Sequence, residues 1–503
     1  MRTIIPGPPG TGKTHRLVNV HLKKELYEYK TRSEKIAYIT FSNAATNEAK
    51  KRIKNLYPSF SFPYITTMHS LGTKTLNIDT NTQLLEGKNW NGFKNFSGVC
   101  YDLNFEKKEW ENGYKEYKNN YMKIIEYAKN KKLELINAAI ELDILDYVDE
   151  NLLEQIYQDL LDYKSQFGMF EFSDMISKFV EKNPSLSLDV VFLDEAQDLS
   201  PLQWDMFHCI EQQCKRSYIA GDDDQTIYSF QGASPKNFIE LKGTIDARTV
   251  SRRVPRAVHR LAVSILENID ERLVKTWEPR DEEGSVIYGK MIEDIDFNQG
   301  EWMILTRTNE QMEPIVEHLQ TLGLRFDCKI NNLLPPKFLE AIRIWDRLNK
   351  GATVSGEEAQ IVYSFLTKKE LKRNFGSGRS LDNVDTVDLD TLILEHGLTA
   401  TGDWTVLSCS EQQEAYIKYL IQNGEDLTKK SRIKVSTIHG VKGEEADNVI
   451  LFTDLEPIIM QSAYRDKDTE HRLFFVGVTR AKQNLFIMDQ DYEHQYPIGE
   501  DIV

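Results

Sequence analysis

The sequence predicts an α/β protein with two parallel-sheet domains, each carrying a mainly helical insertion, and three observations lead there. Short runs of β-branched and aromatic residues alternate with amphipathic segments along the 503 residues. These runs form two groups, before about residue 246 and after about residue 247. Two stretches rich in Lys, Glu and Tyr, roughly 75–170 and 351–430, have a helical rather than an extended pattern. A single hydrophobic core stops growing at roughly 250–300 residues, so a chain this long needs more than one.

Taken in order, "RTII" reads as the first strand, followed by a helix from Thr14, and "KIAYITF" as the second, followed by the amphipathic "NAATNEAKKRI". "LDVVFLDEA" and "KRSYIAGD" complete the first group, and "WMILTRT", "NVILFTD" and "NLFIMD" make the second. Short apolar runs bounded by turn or helix signals are the pattern of parallel strands buried on both faces. The expected division is a first domain of 1–74 and 171–246 with insertion 75–170, and a second domain of 247–350 and 431–503 with a reduced insertion 351–430. "GATVSGEE" and "FGSGRSLDN" read as flexible punctuation. In "WENGYKEYKNNYMKIIEYAKNKK", Trp110, Tyr114, Tyr117 and Tyr121 recur at helical spacing. The packed face of an amphipathic helix is favoured there over a nucleic-acid stripe. "TKKELKRNF" fits either phosphate contacts or a solvated helix face.

Apolar residues at 40% and charged residues at 28% are ordinary for a folded globular chain and exclude a disordered one. The net charge of −16 argues against indiscriminate adhesion to nucleic acid or anionic membrane, while leaving room for a local basic groove. Five cysteines without a CxxC pair suggest neither a disulfide framework nor a zinc site, and fit a reducing cytoplasm; Cys209 and Cys214 read as core or surface thiols. No apolar run approaches the roughly 18 residues of a membrane span, and the first ten residues lack the core of a signal peptide.

"GPPGTGKT" places Gly7, Pro8, Pro9, Gly10, Thr11, Gly12, Lys13 and Thr14 between a strand and a helix. In that setting backbone N–H groups cradle phosphates, Lys13 neutralises the β and γ oxygens, and the Thr14 hydroxyl ligates Mg²⁺. "DVVFLDEAQD" supplies the carboxylates such a loop requires. Asp194 is placed to hold Mg²⁺ through water and Glu195 to orient and deprotonate an attacking water; the bland alternative is an acidic strand end capping the next helix. Arg253, in "SRRVPRAV", and Arg480, in "FFVGVTRAK", stand out, although a lone arginine is usually a solvated or salt-bridged side chain; Arg480 follows a strand-like run in a domain without a phosphate loop, which is where an arginine finger would sit.

"GPPGTGKT", "YITFSNAATNEA", "TTMHSLG", "VVFLDEAQDLSPLQ", "IAGDDDQTIYSFQGA", "SRRVPRAV", "STIHGVKGEEADNVIL" and "EHRLFFVGVTRAK" follow one another in this order, from residue 4 to about 488. The series resembles the motif ladder of the UvrD/Rep/PcrA helicases of superfamily 1. The resemblance implies two RecA-like domains with ATP and Mg²⁺ in the cleft between them. It also implies a monomer that binds single-stranded DNA and single-strand/duplex junctions and moves 3′ to 5′. Carried over by motif, Gln225 would sense the γ-phosphate, Arg253 and Arg480 would be fingers from the second domain, and Glu445 would approach the ribose. Phe41, Asn43, Tyr228 and Phe230 would meet the bases or the strand, and Thr67, His69, Thr437 and His439 would touch the strand or couple it to ATP.

The departures matter too. The usual "YGWRGA" is "YSFQGA", so Phe230 replaces a stacking Trp and Gln231 an Arg. The usual "NYRS" is "SRRV", which puts Arg252 where an aromatic stacks on adenine. The usual "KGLE" is "KGEE", and the second insertion is short. The family's adenine-reading glutamine segment has no counterpart ahead of a loop that starts at Gly7, so weak discrimination among purines is expected. Two other functions compete: an ATPase switch that moves nothing, and the motor subunit of a helicase–nuclease or defence complex. The first leaves Phe41, Tyr228, Phe230 and the second strand group unexplained. The second lacks a C-terminal carboxylate and lysine cluster of its own.

Overall fold

Strands β1 (Arg2–Pro6), β2 (Ile36–Thr40), β3 (Tyr64–Thr67), β4 (Val190–Leu193), β5 (Arg216–Gly221) and β6 (Thr244–Ile245) form a six-stranded sheet in the order β3-β2-β4-β5-β1-β6. Each neighbouring pair is parallel. The computed structural model from which this is read describes residues 1–98, 103–104, 107–109, 115–330, 333–373, 375, 381, 384–457, 459–460, 466–490 and 493–498. β2 and β4 are buried at every position, which is what strands covered by helices on both faces require. Ile4 pairs with Ile219 and Ile39 with Leu193, so the apolar runs lie in register across the sheet.

The strand order decides where the site lies. Because β4, β5 and β1 are adjacent and parallel, the loops after Leu193, Gly221 and Pro6 emerge side by side at the carboxyl edge. Helices start sharply at this edge: Ser42 accepts from Ala45 N at 3.2 Å to cap Asn43–Leu56, and Ser200 with Gln203 boxes the start of Pro201–Gln212.

A second six-stranded sheet contains β7 (Ser285–Ile287), β8 (Trp302–Thr306), β9 (Phe326–Asp327), β10 (Ile433–Thr437), β11 (Ala446–Phe452) and β12 (Ala481–Met488), in the order β9-β10-β8-β11-β12-β7. β8 pairs in parallel with β10 and β11, and β9 with β10. The expected two groups of strands are thus two sheets. By contact the chain forms two compact units. The first is Met1–Val286, Leu455–Asn484 and Tyr496–Val503, and the second is Ile287–Asp454 and Leu485–Gln495.

In the first unit, helices Trp90–Ser97, Asn120–Lys131, Leu135–Glu141 and Glu150–Phe167 close over Phe93, Ile125, Ile156 and Leu160. Lys129 and Lys164 tie them to Glu171 and Asp174 at the start of the next helix, and hold the Glu171 carboxyl far below its usual range despite its burial. In the second unit, Pro336–Asn349, Gly356–Tyr363 and Glu411–Gln422 enclose Phe338, Trp345, Leu392 and Ile417. Among the described residues no helix is long and apolar enough to cross a membrane.

Four local expectations change. Tyr117 lies in a short strand, Lys115–Tyr117, paired with Lys107–Glu109, and the helix starts only at Asn120, so the aromatic spacing there is not one helical face; Trp110 and Tyr114 lie outside the described residues. "GATVSGEE" is an ordered helix start: Ser355 and Glu358 form a capping box, and a Cβ on Gly356 would meet Val384 O at 2.4 Å. "TKKE" forms a turn closed by Thr367 and Glu370 rather than a helix. The run before Arg480 is helix, not strand, because Lys467–Val478 has buried residues nearly all round at its end. Most of "FGSGRSLDN" lies outside the described residues. Cys209, Cys214, Cys328 and Cys409 are free thiols, the first two half-buried.

Candidate active site

The glycine-rich loop leaves β1 and turns directly into a helix. Gly10 (φ 73°) and Gly12 (φ 81°) take left-handed conformations that a side chain would strain. A Cβ on Gly10 would also sit 2.5 Å from Ser251 Oγ and 2.6 Å from Arg253 Cβ. Lys13, buried, donates its Nζ to Gly7 O at 2.7 Å, so the ammonium lies across the loop mouth. Thr11 Oγ1 donates to Pro8 O at 2.8 Å. The helix begins at Lys13 and widens into π turns over Arg16–Leu22. In such turns residues five apart align, and Arg16 and His21 both reach Asp246, at 2.8 and 2.7 Å, just after β6.

At the end of β4, Asp194 Oδ2 accepts from Thr14 Oγ1 and from Tyr38 OH, both at 2.8 Å. Burial and the adjacent Glu195 charge push the Asp194 carboxyl up to about 6 against those two hydrogen bonds and the nearby Lys13. A carboxylate oxygen beside a hydroxyl oxygen is the hard donor set Mg²⁺ takes, and a raised proton affinity marks a carboxylate whose surroundings favour added positive charge. Glu195 is left-handed at φ 55°, which a non-glycine residue adopts only when its surroundings enforce it. Its backbone N–H is taken by Asp194 Oδ1 at 3.1 Å. The Glu195 carboxylate makes no capping bond to the turn it precedes, and accepts instead from Gln197 Nε2 at 2.7 Å.

From Glu195 a chain of hydrogen bonds crosses to Arg480. Gln197 Oε1 accepts from the backbone N–H of Asp222 at 3.0 Å; Asp222 Oδ2 accepts from Gln225 Nε2 at 2.7 Å; Gln225 Oε1 accepts from Arg480 Nη2 at 3.3 Å. Arg480, only 1% exposed, also donates Nε to Val476 O at 2.8 Å, so it is not a solvated side chain. Gln197 and Asp222 are links that sequence reasoning missed. It also missed Lys275, whose Nζ is 2.7 Å from Asp222 Oδ1 and also contacts Asp223 and Asp224. The unexploited signal was "DDD" itself, since three adjacent acids that are all buried demand cations from elsewhere.

Residues 248–253 line the loop from the other side. Arg248 N donates to Pro6 O, Ser251 Oγ to Pro9 O and Arg252 N to Gly10 O, each at 2.9 Å. Arg253 is half-buried against Gly10, while the Arg252 side chain is exposed. Burial, and after it the charges of Arg252, Arg52 and Arg248, lowers the pKa of His15 at the loop mouth.

Beyond these, Phe41 stacks on Tyr228 with centroids 5.3 Å apart and planes 16° apart, and Tyr228 meets Phe230 edge-on at 6.2 Å. Tyr228 is buried, whereas Phe41 and Phe230 are half-buried and Asn43 is exposed. Thr67 caps helix Met68–Leu76 by accepting from Ser70 N at 3.2 Å, and His69 packs edge-on against Phe172. The first unit therefore gathers residues 7–14, Asp194, Glu195, Gln225, Arg252, Arg253 and Arg480, with Tyr228 and Phe230 in the Gln225 loop and Phe41, after β2, against Tyr228. Thr437, His439 and Glu445 belong to the second unit: Thr437 is buried at the end of β10 and accepts from Gly440 N at 3.3 Å, His439 lies in the tight turn that follows, and Glu445 is exposed just before β11.

Comparison with known proteins matches residues 2–246 to the UvrD/REP helicase N-terminal domain and residues 410–491 to the UvrD-like helicase C-terminal domain. The ATP-dependent DNA helicase Rep of Buchnera aphidicola is 27% identical over 255 residues, 46% of this chain and 37% of that protein. A probable DNA helicase II homolog of Mycoplasma capricolum is 26% identical over 243 residues, 44% of this chain and 32% of its own. The ATP-dependent DNA helicase PcrA of Bacillus subtilis is 21% identical over 605 residues, covering 95% of this chain and 79% of PcrA. The first two alignments thus span about a third of those relatives' length.

Proposed function

Because the chain belongs to the UvrD/Rep helicase family, we propose that it is an ATP-hydrolysing motor that moves 3′ to 5′ along single-stranded DNA and opens duplexes at single-strand/duplex junctions. The observation that carries this reading is the hydrogen-bonded chain from Glu195, whose neighbour Asp194 bonds Thr14 of the glycine-rich loop, to Arg480, passing through Gln225 in the loop that also carries Tyr228 and Phe230.

In this reading the loop N–H groups and Lys13 hold the β and γ phosphates, with Lys13 leaving Gly7 O to do so. Thr14 and Asp194 would hold Mg²⁺, which when bound neutralises phosphate charge. Glu195 orients the attacking water and takes its proton, Gln225 contacts the γ-phosphate, and Arg253 and Arg480 stabilise the charge that develops on it. Arg252 covers the base and Glu445 approaches the ribose. Bases stack on Phe41 and Phe230, backed by Tyr228, with Asn43, Thr67, His69, Thr437 and His439 along the strand. Residues 1–74 with 171–246, and 247–350 with 431–503, act as the two motor domains, with 75–170 and 351–430 as their insertions. ATP affinity that differs between two arrangements of these domains is what would move the strand. The protein works as a monomer in the cytoplasm.

Steady-state hydrolysis with and without single-stranded DNA, RNA and duplex tests the core of the proposal. Stimulation by single-stranded DNA is expected; stimulation by duplex alone, or by nothing, refutes a motor. Tailed duplexes of both polarities test direction, and preference for a 5′ tail would reverse that part.

A further inference from the structure

Asp222, Asp223 and Asp224 follow β5 directly, all three are buried, and their carboxylate oxygens lie within 4.8 Å of one another. Three such charges cannot share a dry site without cations. One short segment supplies them. Arg272 forks onto Asp224 at 2.9 and 2.8 Å, the backbone N–H of Leu273 donates to Asp223 at 2.6 Å, and Lys275 Nζ contacts all three acids, at 2.7 Å to Asp222 and 2.9 Å to Asp224. The segment is itself fastened to the helix that leads to Arg480: Asp468 accepts from the backbone N–H groups of Asp270 and Glu271 at 2.9 and 2.8 Å, and Arg472 donates to Glu271 O.

Asp223 and Asp224 thus have partners from this segment besides the lysine, whereas the Asp222 carboxylate divides between Lys275 on Oδ1 and Gln225 on Oδ2. We infer that Lys275 is a positioning residue for hydrolysis: it holds the Asp222 carboxylate in place, and Asp222 in turn fixes the Gln225 amide with Nε2 inward and Oε1 towards Arg480. An amide has one donor and one acceptor end, so anchoring Nε2 on a carboxylate decides which end faces the arginine. Without Lys275 the Asp222 carboxylate loses the contact that fixes its Oδ1, can turn, and no longer dictates that orientation. The lysine touches no substrate. It acts 2 side chains away from the residue assigned to the γ-phosphate, and the inference rests on that assignment.

A double-mutant cycle tests it, with hydrolysis stimulated by single-stranded DNA and kcat corrected for the fraction of protein that binds ATP. Lys275→Met should lower kcat about ten- to a hundredfold with the affinity for ATP within about threefold. In a Gln225→Ala background the same substitution should change kcat by less than about twofold, because the side chain it acts through is gone. Equal losses in both backgrounds overturn the inference, since a general structural role is indifferent to Gln225. If Lys275→Met does not fold, Lys275→Gln, polar but uncharged, enters the same cycle with the same criterion. Wild-type protein that hydrolyses no ATP refutes the underlying reading; wild-type hydrolysis with additive losses refutes this inference alone.

Discussion

Two regions of the first unit lie beside each other and are held by opposite means. The chain Glu195–Gln197–Asp222–Gln225–Arg480 is polar, mostly buried, and held link by link through directional hydrogen bonds. The group Phe41, Tyr228 and Phe230 is aromatic, half-open, and held by ring contacts. On the proposed function, the difference follows from what each would handle. Charge developing on a phosphate is stabilised only by dipoles already aimed at it, so orientation has to be built in. Bases passing over a motor differ in every hydrogen-bonding edge but share a flat face, so a surface without direction serves all of them. Both regions share the loop from Asp222 to Phe230, so on the proposed function that loop would couple hydrolysis to strand movement.

The comparison breaks most severely at Glu195. Glu195→Gln keeps the size of the side chain and removes the base, so turnover should fall about a thousandfold while ATP still binds to Lys13 and the loop. Equilibrium binding beside single-turnover hydrolysis checks this, and near-normal turnover would remove Glu195 from its assigned role. Gly10→Ala comes next. It forces a side chain into φ 73° and against Ser251 and Arg253, so ATP affinity should drop by about tenfold or more and hydrolysis with it, as nucleotide titration would show. Phe230→Ala acts on the other region. It should weaken binding of single-stranded DNA by about 1–3 kcal/mol and lower DNA-stimulated hydrolysis, yet leave basal hydrolysis within about twofold. Equal loss of basal and stimulated rates would mean that the aromatic group supports the polar chain rather than the strand.

How far the sequence carried the reading follows the same division. The residues proposed to face a nucleotide are readable in the sequence because phosphate chemistry dictates their type and spacing: Lys13, Thr14, Asp194 and Glu195 sit in short local motifs. Gln197, Asp222 and Lys275 are not, because they face one another and only the fold brings position 275 to position 222. Strands made of apolar runs were found. β3, "YITT", and β10, "IKVST", were seen as motifs but not as strands, because threonine and lysine interrupt the apolar pattern although Ile65 and Val435 are buried. Ser355 and Glu358 carried a readable capping signal that the neighbouring glycines obscured. The helix ending in "FFVGV" looked like a strand because a helix buried all round has no polar face to set its period.

The smallest expected effect concerns the base. Arg252 is anchored to the loop by its backbone, N to Gly10 O at 2.9 Å, and its side chain is exposed at the loop mouth. A guanidinium can lie flat on any purine, and it carries donors but no acceptor. Adenine presents an amine at the position where guanine presents a carbonyl oxygen, so an arginine has nothing with which to select the amine and is chemically suited to the carbonyl. A site that demands no hydrogen bond from adenine leaves no group unpaired when guanine enters, and discrimination stays small. GTP and dATP should therefore support DNA-stimulated hydrolysis within about tenfold of ATP in kcat/KM, a gap of about 1.4 kcal/mol. Arg252→Ala should lower all three by a similar factor, since it removes a platform and not a reader. Measured kcat/KM values for the three nucleotides, with and without the substitution, decide the matter: a thousandfold preference for ATP that survives in Arg252→Ala places adenine recognition in another part of the chain.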